Sequence, residues 1–269
     1  MDQATDHVAE GANVKTLFWG DIQLFLIAVQ FLTRIPVRLS LDYSDQKISE
    51  AASYYPAVGL CLGAFGAVVY YLAIFFLPET VALILVLGLL ALVTGCLHED
   101  GLADMCDGIG GGVDKGAALR IMKDSRLGTY GVTGLLFVLG IKVSALAAFS
   151  IGYIPILLIV GHCFSRLSAV TVILTSSYAR DEGKAKQVSY GLSVKGVWLL
   201  VLTGLALSVV VLTTFGFTLL MGMWAGTMLG HILTRSQFEK KLGGYTGDCL
   251  GATQQVSETG LYLGALMCI

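Results

Sequence analysis

The hydrophobic residues of this chain fall into long runs that are separated by short turns or by polar connections. Because about 20 helical residues cross a bilayer core of about 30 Å, each run of that length predicts one transmembrane helix. The six clearest runs are 54–77, 80–97, 128–151, 154–175, 196–214 and 217–234, and a less apolar seventh run is 250–269. The pattern therefore predicts an all-α, polytopic membrane helix bundle with about seven transmembrane helices.

The start of the chain follows a different pattern. A weaker apolar stretch, 22–37, is interrupted by Arg34 and Pro36, so it predicts a re-entrant or interfacial helix rather than a full span. Residues 1–21 hold four acidic side chains against Lys15 alone, which is the opposite of the basic start of a secretory signal. We expect a mobile acidic tail, no cleaved targeting peptide and a single integral membrane domain over 1–269.

The composition supports membrane lipid as the main environment of the chain. Of the 269 residues, 55% are hydrophobic and 13% are charged, whereas a soluble domain carries roughly 25% charged residues. The 33 glycines allow helices to pack closely in lipid and permit a homo-oligomer. The net charge of −2 and the absence of a basic tract in the sequence exclude nucleic acid as the partner.

Lysine and arginine residues in short loops mark the cytoplasmic side of a membrane protein. Here they are concentrated in four polar connections, which are 34–53, 98–127, 176–195 and 235–249. The short turns at the opposite ends of the apolar runs contain none. The charge pattern therefore predicts a multi-pass protein of the inner membrane whose active site faces the cytoplasm.

An acidic cluster, 98–108, follows the second apolar run. If this segment is helical, its spacing puts Asp100, Asp104 and Asp107 on one face. Carboxylates gathered at a membrane boundary repel one another, and a hard divalent cation with oxygen ligands relieves that repulsion. The cluster predicts a Mg²⁺ site rather than a zinc site, because His98 has no partner at ligand spacing. The alternative is a solvated helix end without a metal.

Glycines and basic residues follow the acidic cluster. The glycines are Gly108, Gly110 and Gly111, and the basic residues are Lys123 and Arg126. Backbone amides of a glycine-rich loop can approach a phosphate, and basic side chains neutralise its charge. Combined with the carboxylates, these residues predict phosphoryl-transfer chemistry. Taken alone, the glycine run is more often a flexible loop.

A second polar segment, 245–258, opens the last apolar run. Asp248 either caps this helix or belongs to the site. Glu258 would be costly against lipid, so we expect it to point into the bundle toward a wet cavity. Arg166 lies close enough to the cytoplasmic end of its run to reach an anionic substrate, whereas Lys142 lies deeper and is interpreted as structural.

Five segments of the chain resemble the cobalamin synthase family, also called adenosylcobinamide-GDP ribazoletransferase. These segments are 31–37, 54–59, 98–108, 122–131 and 246–252. They occur in the order of the family pattern and extend over nearly the whole chain. Glu99 stands where leucine is commoner in that pattern, and Met105 and Cys106 replace small residues, but no aspartate is lost.

The resemblance implies a membrane-bound, Mg²⁺-dependent enzyme of cobalamin biosynthesis. Such an enzyme joins adenosylcobinamide-GDP to α-ribazole or its 5′-phosphate, releases GMP and forms adenosylcobalamin or its 5′-phosphate. This is the last step of nucleotide loop assembly. A ribose hydroxyl of the ribazole attacks the phosphorus on the cobinamide arm, and GMP leaves.

The resemblance also implies roles for the candidate residues. The three aspartates of the acidic cluster would hold Mg²⁺, while Lys123 and Arg126 would stabilise charge on the phosphorus and on the departing GMP. The three glycines and Arg166 would contact substrate phosphates. Asp248 or Glu258 would complete the metal site or accept the hydroxyl proton.

Two other functions fit parts of the pattern. A phosphotransferase for CDP-activated lipid alcohols uses a similar aspartate-rich motif, but its usual Ala-Arg pair is replaced here by Ala103 and Asp104. A transporter would contain paired broken helices at mid-membrane. The polar residues of this chain gather at one face instead, which disfavours transport.

Overall fold

The computed structural model describes residues 19–180 and 183–269, and within those ranges the chain folds into helices without a β-strand. Two residues that are far apart in sequence, Tyr178 and Tyr245, form an isolated β-bridge. The α-helices are α1 Trp19–Leu32, α2 Asp45–Ala51, α3 Tyr55–Ala73, α4 Glu79–Thr94, α5 Leu97–Gly111, α6 Lys115–Ile121, α7 Thr129–Leu146, α8 Ile154–Thr175, α9 Val194–Phe215, α10 Phe217–Leu242 and α11 Gly247–Leu266. The predicted all-α membrane bundle is confirmed.

Five helices in the described part of the chain are long and apolar enough to cross a membrane. They are α7, α9, α10 and two longer stretches. The stretch Asp45–Ala73 joins α2 and α3, and the stretch Ile151–Thr175 joins α8 to the helical turn before it. The number rises to six if α4 and α5 are counted together as one broken span. The seventh predicted run forms α11, but this helix is too polar to satisfy the same criterion because it carries buried glutamine, glutamate and threonine side chains.

The N-terminal apolar stretch forms the short helix α1, Trp19–Leu32. A helix of this length reaches only about 21 Å, which is less than the hydrocarbon core, so α1 fits the expected re-entrant or interfacial helix. The predicted mobile tail, 1–21, lies mostly outside the described residues. Residues 19–21 are within the first turn of α1, and the mobility of the tail stays a prediction.

Glycines bring the backbones of neighbouring helices into direct contact. In α10, Gly222, Gly226 and Gly230 face α11, and a β-carbon added to Gly226 would overlap the carbonyl oxygen of Gly260. In α3, Gly59 lies against the backbone of His162 in α8. Close packing of this kind replaces the hydrophobic drive that is missing between helices in lipid.

A sharp bend separates α4 from α5. The two helices turn by 90°, and the turn is made by Gly95 and Cys96, which both adopt the left-handed conformation with φ of 64° and 58°. Cys96 is the only described residue other than glycine with a positive φ. The side chain of Arg34 fills the space beside Gly95, and its backbone amide donates to the carbonyl of Val93 at 2.8 Å. The bend directs α5 across the end of the bundle.

Three of the polar connections meet at one end of the bundle. The Ser49 hydroxyl donates to the carbonyl oxygens of Val188 and Gly191 at 3.0 and 2.6 Å. The amide of Ala179 donates to the carbonyl of Tyr245 at 2.8 Å. The segments 34–53, 176–195 and 235–249 therefore share one side of the molecule.

Candidate active site

A cavity of about 440 Å³ lies at the end of the bundle where the polar connections meet. Its wall combines residues of α1, α3, α5, α8 and α11 with residues of the connection after α8. Four charged side chains line it, two of each sign, and they are Asp100, Arg166, Arg180 and Asp248. This cavity is the centre of the candidate site.

The acidic residues of the site are brought together by the contact of α5 with α11. Gly101 and Gly251 allow these two helices to touch, because a β-carbon on Gly101 would lie 2.9 Å from the carbonyl oxygen of Asp248. Asp100, Asp104 and Asp248 are then close enough to repel one another electrostatically. Asp100 is exposed and Asp104 is half-buried, so both carboxylates remain open to a ligand.

Arg180 offsets part of this negative charge. Its Nη2 lies 2.8 Å from Oδ2 of Asp248, and both side chains are mostly buried. Burial raises the pKa of Asp248, whereas the guanidinium of Arg180 acts in the opposite direction. The capping alternative for Asp248 is wrong, since the Thr246 hydroxyl accepts from the amide of Cys249 at 3.3 Å and caps α11.

Asp107 interacts electrostatically with Asp104, but its carboxylate is bound by the start of α7. Its two carboxylate oxygens accept from the backbone amides of Gly128 and Gly131 at 2.7 and 2.8 Å. Asp107 therefore caps the first turn of α7 from a neighbouring helix, and its role as a metal ligand stays a prediction. The physical reason for the cap is that backbone amides at a helix N-terminus need an acceptor and attract negative charge.

The remaining carboxylates fit a magnesium ion that is shared with a substrate. No group of three or more acidic, histidine or cysteine side chains in the described ranges is arranged to hold a metal. Mg²⁺, however, is usually held by one or two carboxylates together with substrate phosphates and water. Asp100 and Asp104, which repel each other and are open to solvent, satisfy that requirement.

The glycines after the acidic cluster do not form a phosphate-binding loop. Gly108, Gly110 and Gly111 belong to the last turn of α5, where backbone amides are used within the helix. Gly108 makes room for Met122, and Gly110 makes room for the ring of Tyr130. The loop interpretation is therefore wrong, because the glycines serve helix packing.

Lys123 and Arg126 lie outside the cavity. Both are exposed, and Arg126 forms an ion pair with Asp124 at 2.6 Å. This neighbour lowers the pKa of the Asp124 carboxyl, chiefly through the hydrogen bond from Arg126. The structure thus does not bring these two basic residues to the carboxylates, and Arg180 occupies the place that was expected for them.

Glu258 points into the bundle as expected, but it does not reach the cavity. It is fully buried and contacts Lys142 at 3.1 Å. The side-chain amide of Gln254 donates to it at 2.6 Å, and the hydroxyl of Tyr262 donates to it at 3.0 Å. The expected wet cavity at Glu258 is wrong, because Lys142 neutralises its charge inside the bundle. Lys142 has the structural position that was expected for it.

Two cavity residues were missed by the sequence interpretation. Arg180 was one of several basic residues in the connection 176–195, and no sequence signal singled it out, because it is 68 residues from Asp248. His98 was considered only as a zinc ligand, yet its buried imidazole lines the cavity two residues before Asp100. Arg166, which was expected to reach a substrate, also lines the cavity.

Comparisons with known proteins identify the family of the chain. The family model described as cobalamin-5-phosphate synthase matches residues 24–266. The chain is 37% identical over 264 residues to the adenosylcobinamide-GDP ribazoletransferase of Shewanella amazonensis, which covers 93% of this chain and 97% of the relative. It is 40% identical over 246 residues to the protein of that name from Vibrio cholerae, which covers 90% and 92%. No solved structure matches the chain.

The match extends over the elements that build the cavity. It begins within α1 and ends at the last residue of α11, so it includes the acidic cluster, Arg180 and Asp248. The relatives are named as transferases, and this chain is an enzyme of that class. The chain belongs to the cobalamin-5-phosphate synthase family.

Proposed function

We propose that this transferase joins adenosylcobinamide-GDP to α-ribazole or to α-ribazole 5′-phosphate. The products are GMP and adenosylcobalamin, or adenosylcobalamin 5′-phosphate. The names of the relatives, which align with 90% or more of the chain, support this assignment. The structural observation that carries it is the cavity in which two aspartates and two arginines meet, since a diphosphate substrate needs both kinds of group.

In the proposed reaction the oxygen of a ribose hydroxyl forms a bond to the phosphorus attached to the cobinamide arm. The bond between that phosphorus and the bridging oxygen of GMP breaks, and GMP leaves with the electron pair. The hydroxyl proton passes to a base in the cavity. Asp248 lines the cavity and can accept it, whereas Glu258 is paired with Lys142 outside the cavity.

The other side chains of the site would bind and neutralise the phosphate groups. Arg180, which Asp248 holds in place, stabilises negative charge on the phosphorus and on the leaving group. Asp100 and Asp104 would hold Mg²⁺ together with phosphate oxygens of the substrate. When bound, the ion would neutralise charge that develops on the phosphates.

We also propose that the protein lies in the inner membrane and that its cavity opens to the cytoplasm. The lysine and arginine content of the polar connections supports this orientation. Both substrates are large, charged and phosphorylated, so they would reach a cytoplasmic opening without crossing the bilayer.

The test is GMP release by purified protein in detergent or liposomes, with adenosylcobinamide-GDP and α-ribazole 5′-phosphate as substrates. GMP and a cobalamin product are expected with Mg²⁺ and not with EDTA. Asp104→Asn is expected to lower the rate roughly a hundredfold or more, because charge neutralisation is a large part of phosphoryl transfer. Full activity in EDTA would contradict the metal assignment, and no GMP from a well-folded preparation would contradict the function.

A further inference from the structure

Unsatisfied hydrogen-bond donors are concentrated on the wall of the cavity. Among the described residues, seven buried side-chain atoms lack a hydrogen-bond partner. Three of them belong to residues that line the cavity, and all three can donate: the Tyr55 hydroxyl, Arg166 Nε and Arg180 Nε. Buried donors without partners are rare in folded proteins, so a ligand rich in acceptors is expected between them.

Arg166 is a buried cation that is attracted by the charges of Glu258 and Glu99 but forms no direct ion pair with either. It is 2% exposed, and no carboxylate in the described ranges lies within ion-pair distance of it. Its Nη1 is held by the carbonyl oxygen and the Nδ1 of His162, at 2.9 and 3.2 Å. These bonds fix the plane of the guanidinium and leave Nε free. Because Glu258 is directly paired with Lys142, a ligand phosphate would supply the direct partner that the Arg166 guanidinium lacks.

Tyr55 and Arg166 line the same cavity, and contact between α3 and α8 brings their helices together. The stem of Arg166 packs over Gly59, since a β-carbon there would lie 3.1 Å from Cδ of Arg166. Tyr55 is one helical turn before Gly59 and therefore lies on the same face of α3. The ring of Tyr55 is stacked on Phe31, with the ring centroids 5.7 Å apart. The stacking fixes the ring, and its hydroxyl has no partner.

We propose that Tyr55 and Arg166 form a phosphate-binding subsite in this cavity, in addition to its carboxylates Asp100 and Asp248. The inference rests on the proposed function for the identity of the two phosphorylated substrates. Two phosphates have the required chemistry: the diphosphate of the donor and the monophosphate on the acceptor nucleoside. Both present oxygens that accept from a hydroxyl and from a guanidinium.

The first experiment compares Tyr55→Phe with Tyr245→Phe. Both tyrosines are buried, and both hydroxyls lack a partner, so neither substitution removes a hydrogen bond of the fold. Of the two, only Tyr55 lines the cavity, and because the Tyr245 hydroxyl interacts electrostatically with that of Tyr55, the control also shows whether losing this neighbour alone changes the KM. Tyr55→Phe is expected to raise the KM of a phosphorylated substrate roughly tenfold, as a lost hydrogen bond to a charged group does. Tyr245→Phe is expected to leave the KM within twofold of the wild type.

The second experiment identifies which phosphate the subsite holds. KM values are measured for Arg166→Gln with free α-ribazole, with α-ribazole 5′-phosphate and with the donor. If the subsite holds the acceptor phosphate, only the KM of the phosphorylated acceptor rises, roughly a hundredfold for the lost charge-assisted bonds. If it holds the donor diphosphate, the KM of the donor rises with either acceptor. Both results support the subsite.

A binding measurement with inorganic phosphate separates the subsite from the proposed function. Phosphate is expected to raise the thermal unfolding midpoint of the wild type and of Tyr245→Phe, and to have less effect on Tyr55→Phe and Arg166→Gln. This result would support the subsite even if the wild type released no GMP. Equal effects of phosphate on all four proteins, together with unchanged KM values, would overturn the proposal. If Arg166→Gln does not fold, Tyr55→Phe decides.

Discussion

Asp104 and Asp107 are close neighbours on α5, yet their side chains meet different surroundings. Asp104 is half-buried near three other carboxylates, one of which is Asp107, whereas Asp107 is buried against the first turn of α7. One aspartate is therefore held near like charges, which favours a cation, and the other is satisfied by backbone amides. Two aspartates of one motif are therefore expected to respond differently to substitution.

Replacing Asp107 by alanine is expected to destabilise the protein. The substitution leaves the amides of Gly128 and Gly131 without their acceptor, and the loss of a capping side chain costs about 1–2 kcal/mol. The measurement is the thermal unfolding midpoint in detergent, compared with that of Asp114→Ala. Asp114 caps the shorter and more exposed helix α6, so its loss should lower the midpoint less.

In contrast to Asp107→Ala, Asp104→Asn is expected to lower activity without lowering the unfolding midpoint. Removing one of several mutually repelling carboxylates relieves repulsion, so the unfolding midpoint should stay the same or rise while activity falls. Activity and midpoint are measured on the same preparations of both variants. An Asp107 variant that needed more Mg²⁺ but kept its midpoint would instead make Asp107 a metal ligand.

At the scale of single residues, sequence interpretation is limited because residues that contact each other can be far apart along the chain. The partners of Asp107 are 21 and 24 residues away, and Arg180 is 68 residues from Asp248. Helical periodicity placed Asp100 and Asp104 correctly on α5 because it depends on neighbouring residues alone. It could not distinguish Arg180 from Lys123, since that choice depends on which segments pack together.

At the scale of helices, the contact of α10 with α11 depends on a row of glycines. Gly226→Ala is expected to destabilise the bundle by about 1–3 kcal/mol, because the added methyl group meets the carbonyl of Gly260 and overpacks the interface. Gly88→Ala is the matched control, since its β-carbon would meet nothing within 4 Å in the described structure. Thermal unfolding in detergent is the measurement, and equal midpoints would contradict the tight contact.

A buried ion pair joins α7 to α11. Glu258→Gln is expected to leave Lys142 as an unpaired charge and to cost about 3–5 kcal/mol, because both side chains are almost completely buried. Adding Lys142→Met to the same protein should restore much of the loss. A double variant that is no more stable than Glu258→Gln alone would show that the pairing is not the cause.

The apolar runs predicted where the helices lie, but they did not predict the bend after α4. The run 80–97 predicted one straight span, and α4 ends at Thr94 within it. The turn depends on a left-handed backbone at Cys96, which no propensity of cysteine predicts. Likewise, the polarity of α11 indicated its buried face, whereas its pairing with Lys142 depends on how α7 packs.

At the scale of the whole molecule, the charge pattern predicts the orientation in the membrane. Exposed positions in the fold allow that orientation to be tested. Single cysteines at Phe76 and at Arg126, both exposed, would be introduced into a protein without its native cysteines. A membrane-impermeant thiol reagent is expected to label Phe76→Cys in intact spheroplasts and Arg126→Cys only in inverted vesicles, because basic connections stay in the cytoplasm. Active protein with the reverse labelling would place the cavity on the outer side, where phosphorylated cytoplasmic substrates could not reach it.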